Sequence, residues 1–291
     1  MSKDTLKKSG TLRGFGSMRG FGAASIKWLV LSFFLAVALL PLLWLVLNSF
    51  RTNLELETSP FGLPARLSFE NYRNAIVVGD LGRLLLNSVM AAAGSVALNL
   101  IVASMGGFIL SREKFPGRDL IFTVITAGVL IPIISFMVPY FWMITKTGLY
   151  DKLISLILTY AAINIPVSVA LITTFMRAIP KELEEAATID GCGFNQRFTK
   201  IIFPLSRSGL ATAGTFCFIY AWNEFVMAML FTSSVSSRTI QLGIRYFTSQ
   251  FITDYTGMFA AIVLSIIPSV LVYVILHDKI ISGLTAGAVK G

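Results

Sequence analysis

The sequence predicts an all-α, polytopic membrane protein with six transmembrane helices. The chain is 55% hydrophobic and only 13% charged. Its mean hydropathy is +0.76, too apolar for an ordinary soluble domain. Runs free of Asp, Glu, Lys and Arg also recur at the length a bilayer demands, roughly 20 residues per helix.

The first run covers 28–50. It contains Pro41 and Trp44 and leads into Asn48-Ser49-Phe50-Arg51 with no small-residue cleavage pattern, so it reads as a retained helix rather than a signal peptide. The runs 84–111, 120–145, 153–176 and 255–277 supply the second, third, fourth and sixth spans. The fifth is 208–237, interrupted only by Glu224. Pro132 and Pro139 in the third span, Pro166 in the fourth and Pro268 in the sixth predict bends. Bends suit a path that opens and closes, and they also occur as packing solutions. Ala91-Ala92-Ala93-Gly94-Ser95 and Ala103-Ser104-Met105-Gly106-Gly107 predict close helix contacts in the second span.

The chain thus divides into a basic arm (1–27), a first span with an external loop (28–83), a core of five spans (84–278) containing a charged loop (178–206), and a tail (279–291). With six spans both termini share a side. That side carries 16 Lys and Arg residues against 8 on the other, so it is predicted to be cytoplasmic. The net charge of +9 is therefore a topology signal and not a sign of nucleic-acid binding. Arg13-Gly14-Phe15-Gly16 and Arg19-Gly20-Phe21-Gly22 in the arm are compatible with RNA or anionic lipid, but their composition reads first as a disordered basic arm. In the external loop, Pro60, Gly62 and Pro64 precede Ser68-Phe69-Glu70-Asn71-Tyr72, which reads as a helix start capped by Ser68. That helix is either a contact for a substrate-delivering partner or a plain connector.

Enzyme chemistry finds no support. Cys192 and Cys217 are lone residues that suggest neither a disulfide framework nor a metal site, and His277 is the only histidine, which excludes a His-based metal or catalytic cluster. There is no G-x-x-x-x-G-K-[ST] loop to cradle ATP phosphates.

The most informative stretch is 181–204, KELEEAATIDGCGFNQRFTKIIFP. Nine charged residues lie from Arg177 to Arg207. Burying them in lipid at roughly 2.5 kcal/mol each would cost on the order of 20 kcal/mol, so the loop stays at the surface. Pro180 suits a helix start. Glu182, Glu184 and Glu185 occupy turns where the helix dipole favours acids, and Leu183, Ala186, Ala187 and Ile189 form a short face with small residues at its centre. Gly191 and Gly193 break the helix. Phe194, Phe198, Ile201, Ile202 and Leu205 then repeat at helical spacing until Pro204 weakens the run, which predicts an amphipathic helix on the membrane face.

Glu185-Ala186-Ala187, then Gly191, Ile201 and Phe203-Pro204 resemble the loop signature of integral permeases of bacterial ABC importers, with Phe203 in place of the usual Leu. Ile189-Asp190-Gly191-Cys192-Gly193, Trp222-Asn223-Glu224-Phe225 and the tail Gly283–Gly291 resemble its carbohydrate-uptake branch, in particular the smaller six-helix permease of maltose-type transporters. The resemblance covers nearly the whole chain after about residue 28. It implies the type I importer permease fold and a bacterial inner-membrane location. It also implies a second homologous permease, two cytoplasmic ATPase subunits that use the ATP, and an extracytoplasmic sugar-binding protein; this chain itself would bind no cofactor. It assigns ATPase coupling to Glu185, Ala186, Ala187, Asp190, Gly191, Ile201 and Pro204, and a tail contact to Thr285, Gly287 and Lys290.

Glu224 is the one acid inside a span, which makes it a functional candidate. With Trp222, Asn223 and Asn164 it either lines a translocation path or serves helix packing and the aromatic belt. Asn99 is a weaker polar candidate. The rival substrates are a polyol, a glycerol phosphate or a peptide. A proton- or sodium-coupled carrier would need more intramembrane charge than Glu224 alone.

Overall fold

The structure is a computed structural model and describes residues 16–77, 79–247 and 254–288. Among these residues the regular structure is helical throughout. The helices are α1 (Gly16–Asn48), α2 (Asn53–Thr58), α3 (Glu70–Val77), α4 (Leu81–Arg112), α5 (Arg118–Ala127), α6 (Met137–Lys146) and α7 (Leu153–Ala178). There follow α8 (Glu182–Ile189), α9 (Phe194–Gln196), α10 (Phe203–Leu205), α11 (Arg207–Asn223), α12 (Val226–Phe231), α13 (Ile240–Ile244) and α14 (Tyr255–Ala288).

Four helical stretches are long and apolar enough to cross a membrane: Ile26–Asn48, Leu81–Arg112, Leu153–Ala178 and Tyr255–His277. Two expected spans are not single helices. The third is a pair, Arg118–Leu130 and Ile133–Lys146, bent by 96°. Pro132 lies at the break and holds Ile131 extended (ψ 121°), because the proline ring disfavours a helical residue before it. Pro139 falls in the first turn of α6, where a missing N–H costs little. The fifth expected span stops at Asn223. Seventeen residues of α11 rise only about 26 Å, short of a roughly 30 Å hydrocarbon core, and α12 resumes after Glu224. Pro41, Pro166 and Pro268 stay inside continuous helices. The basic arm differs from the disordered reading: its residues 1–15 lie outside the description, but from Gly16 onward it is the start of α1.

The centre of the fold is a parallel pair, α4 and α7. Ser95 Oγ donates to the Ile157 carbonyl (3.2 Å), Asn99 Nδ2 to that of Ala161 (2.9 Å) and Arg112 Nη2 to that of Ile179 (2.8 Å). The nearly constant sequence offset fixes the parallel direction. Small residues let the axes approach: Ala91, Ala92 and Ala103 are fully buried, and a Cβ on Gly94 or Gly107 would come within 2.9 Å of Ile157 or Ile172. Asn99 is thereby spent on helix pairing.

The helix pair defines two ends. At the far end, Trp222, Tyr160, Leu84, Leu156 and Phe231 form one apolar cluster; at the loop end, Phe108, Ile172, Met176 and Ile202 form another. Polar clasps seal the far end. Asp151 Oδ1 accepts the N–H groups of Ser233 (2.8 Å) and Ser234 (2.9 Å) and the Ser237 hydroxyl. Asn53 Nδ2 donates to Asp254 Oδ1 (2.8 Å), joining α2 to the start of α14. The loop after α1 is a folded unit. Buried Arg51 donates to Asn48 Oδ1 (2.8 Å) and the Ser59 carbonyl (2.8 Å), and Thr52 and Glu55 form a capping box on α2. Ser68 accepts the Glu70 N–H at 3.3 Å at the start of α3, as the sequence predicts.

α1 packs its Trp44 ring edge-on to Phe259 of α14, 5.4 Å between centroids, and exposes most of its remaining apolar side chains. That is the arrangement of a helix whose surroundings are as apolar as itself.

Candidate functional site

The loop from α7 to α11 folds into a compact knob. Glu182, Glu184 and Glu185 fill the first turn of α8, and Gly191 ends it with φ +85°. The Gly191 N–H donates to the Thr188 carbonyl (3.0 Å) and the Cys192 N–H to that of Ala187 (2.9 Å), the paired bonds of a Schellman cap. Nothing lies within 4 Å of a Cβ built on Gly191, so glycine is required there by its backbone angle and not by crowding.

After Gly193 the chain forms α9, a π-helical turn (Arg197–Ile202) and α10. Pro204 has no N–H for the Lys200 carbonyl, and the turn before it loosens into the π form. Phe194 and Phe198 set their rings 5.2 and 5.1 Å from Phe108 of α4, and Ile202 is fully buried in the loop-end cluster. Phe203 and Leu205 are exposed.

Charge fastens α8 to this base. Glu184 Oε1 pairs with Arg112 Nε at 3.0 Å, and Glu184 Oε2 with Arg197 Nη1 at 3.5 Å. Arg197 Nη2 also pairs with Glu113 Oε1 at 3.1 Å. The Arg112 and Glu184 side chains are 2% and 8% exposed, against 24% for Arg197, so their pairing is the interior one. Arg112 Nη2 further donates to the Met176 and Ile179 carbonyls at the end of α7. The ends of α4 and α7 and the first turn of α8 therefore meet at one guanidinium.

The residues expected to face a partner separate into two sets. Glu185, Ala186, Asp190 and Gly191 point outward together with Leu183 and Ile189, the latter 87% exposed. Ala187 is buried on the inner side, which corrects the expected shared face with Ala186. A shallow depression of about 430 Å³ opens beside α8, lined by Glu184, Glu185, Thr188, Ile189 and Arg197. Ile201 and Pro204 are half-buried beneath the knob and hold its shape. Glu184 escaped the sequence reading, which saw only a dipole-favoured acid. Its spacing of three from Ala187, on one helical face, is the signal that would have found it.

The four expected path residues also divide. Trp222 is 1% exposed, stacks on Phe218 at 5.7 Å and donates its indole N–H to the Ser265 carbonyl (3.0 Å). It lies within the chain and lines neither a path nor an aromatic belt. Asn164 is buried and donates to the Tyr160 carbonyl on its own helix (2.8 Å). Asn223 is exposed. Half-buried Glu224 breaks the helix and caps the next one: its carboxylate accepts the Met227 N–H (2.7 Å), the Ala228 N–H (3.1 Å) and the Tyr160 hydroxyl (2.8 Å). Thr285 and Gly287 fall on the last turns of α14, and Lys290 lies outside the described residues.

Long apolar helices around a bent helix pair, with a capped knob clamped to their ends, define a polytopic membrane protein. Residues 100–285 match the family described as binding-protein-dependent transport system inner membrane component, and the chain belongs to that family. It is a permease subunit of the inner membrane and not an enzyme. It is 33% identical over 269 residues to the diacetylchitobiose uptake system permease protein NgcG of Streptomyces coelicolor, covering 92% of this chain and 89% of that one. It is also 33% identical to the trehalose transport system permease protein SugB of Mycobacterium tuberculosis, covering 91% and 97%. Its fold matches a chain in the crystal structure of a bacterial ABC transporter involved in import of the acidic polysaccharide alginate. The TM-score is 0.79 at 24% identity, over 92% of this chain and 99% of that one.

Proposed function

We propose that this permease imports a sugar or oligosaccharide delivered by a binding protein. A second homologous permease completes the path, and two ATPase subunits beneath it use the ATP. The outward face of α8 carries the coupling half of this reading: Glu185, Ala186, Asp190 and Gly191 stand exposed on a helix that is itself clamped and capped. Ala187, Ile201 and Pro204 support that helix from below. Thr285, Gly287 and Lys290 extend the ATPase contact along the tail. Saccharide permeases among its relatives, NgcG and SugB included, support the substrate class.

Six crossings with both termini cytoplasmic fit the contacts, because α4 and α7 run parallel and the bent α5–α6 pair must return the chain between them. Exposed Asn223 and half-buried Glu224 are the remaining path candidates on this chain.

The test is uptake by the complete transporter in proteoliposomes, with saccharides first ranked by binding to its receptor protein. ATP-dependent saccharide uptake that stops with an ATPase-dead partner is expected. Uptake that collapses with an uncoupler while ATP is held constant overturns the ABC mechanism. A receptor selective for a polyol, a glycerol phosphate or a peptide overturns the substrate class.

A further inference from the structure

Exposed residues on α8 form a docking face, but a face alone does not move a helix bundle. Something must join α8 to the spans stiffly enough that displacement of one displaces the other. Apolar contact under α8 is slight: Ala187 is its one buried apolar residue, while Leu183 and Ile189 point away. The ion-paired carboxylate of Glu184 is the specific attachment, and it reaches both sides of the junction. One oxygen meets Arg112 at the end of α4, and the other meets Arg197 in the π-helical turn. Arg112 in turn holds the Met176 and Ile179 carbonyls at the end of α7. Arg177 of α7 returns the contact by donating to the Leu110 carbonyl of α4.

We propose that Glu184 is the positioning residue of the coupling mechanism, the strut that transmits motion of the docked α8 to α4 and α7 through Arg112. This rests on the coupling role proposed for the outward face of α8, and it assigns to Glu184 a task distinct from docking. The carboxylate oxygens are taken up by Arg112 and Arg197, not presented on the outward face of α8, so their loss leaves that face in place. A buried guanidinium whose carboxylate is removed keeps its charge and its carbonyl contacts to α7 but loses its ionic hold on α8.

The experiment uses the complete transporter, measuring three quantities: ATPase co-purification, ATP hydrolysis, and saccharide moved per ATP. Glu184→Gln keeps the shape and removes the charge. Its ATPase should co-purify as with the parent, while saccharide moved per ATP falls about fivefold or more, the lower range of a coupling energy. Glu184→Asp, which retains the charge on a shorter arm, should recover part of that ratio. Arg197→Gln, which removes the outer Glu184 pair together with the Glu113 pair and leaves Glu184–Arg112 in place, should lower it less than Glu184→Gln.

An unchanged ratio in Glu184→Gln overturns the proposal, as does loss of the ATPase from that variant, which would place Glu184 in docking. If Glu184→Gln fails to insert, Arg197→Gln decides: a lowered ratio supports the strut and an unchanged one overturns it. Ala186→Asp on the outward face separates the underlying reading. If that variant still binds its ATPase and transports normally, the docking assignment itself fails, whatever Glu184 does.

Discussion

Ala186 and Ala187 are neighbours in sequence and opposites in environment, exposed and buried respectively. An aspartate at 187 places a carboxylate under α8 and costs about 2–3 kcal/mol, the usual penalty for an unpaired buried polar group. Ala187→Asp should therefore lower the thermal midpoint of the detergent-solubilised protein, whereas Ala186→Asp should leave it unchanged and weaken ATPase co-purification. Asp151 makes a second residue-scale argument, at the far end. It adopts a left-handed φ of +59°, which its short polar side chain tolerates. Burial opposes its charge, but donors from Ser234, Ser237 and Ser233 outweigh burial and hold the carboxyl well below the usual carboxylate range. A lowered folded pKa means that the charged form carries the stability. The contribution is full above the unfolded value near pH 4 and disappears as pH falls through the folded value. Asp151→Ala should cost about 1.5–3 kcal/mol at neutral pH, the worth of hydrogen bonds to a charged group. Unfolding followed from pH 7 down to pH 3 should show the gap to the parent narrowing, and a gap that widens with acid contradicts the assignment.

Among elements, close packing of α4 on α7 decides where side chains are allowed. A Cβ on Gly107 would sit 2.9 Å from Ile172 Cγ2 and 3.4 Å from the Thr173 backbone nitrogen, so Gly107→Ala must push the helices apart. Overpacking of that kind costs about 1–3 kcal/mol. The adjacent Gly106 offers a matched control, because its Cβ would stand 4.0 Å from Val169. Gly106→Ala should be neutral, or stabilising by up to about 1 kcal/mol through helix propensity. Denaturation of the two variants side by side checks this, and equal losses would mean that the contact is not tight. The breaks in the helices follow a different logic. At Pro132 the backbone itself forbids continuation, whereas at Glu224 a side chain replaces it by taking the N–H groups of Met227 and Ala228. An acid inside an apolar run is thus a helix cap made from within the span, as well as a break in its periodicity.

For the whole molecule, legibility in the sequence tracks how local the cause is. Four of the expected span positions, the glycine break at 191 and the amphipathic run to Pro204 depend on local composition and spacing, and these recur in the structure at nearly the expected residues. What periodicity could not reveal depends on contacts far apart in the chain. The burial of Glu184 needs Arg112, the enclosure of Trp222 needs Ser265, and the two-part third span needs Pro132 to act against an otherwise continuous apolar run. The same long-range contacts bear on topology. Ser95, Asn99 and Arg112 meet Ile157, Ala161 and Ile179 in one direction, so α4 and α7 travel the same way. Two parallel neighbours require the chain to return across the full depth between them. The bent pair has contacts at both ends: Phe122 lies under Arg177 at the loop end, 5.0 Å from the guanidinium, and Ile144 joins the far-end cluster. A crossing, and not a re-entrant loop, places residues 61 and 192 on opposite sides of the membrane, because three passages then separate them. Phe61 is 89% exposed, Cys192 sits beside the Gly191 turn, and Cys217 is buried. A membrane-impermeant maleimide should therefore label Phe61→Cys from outside in spheroplasts and leave Cys192 untouched, with the reverse in inside-out vesicles. Labelling of both from one side would make the bent pair re-entrant. Labelling of Cys192 alone in spheroplasts would invert the orientation that the Lys and Arg distribution predicts.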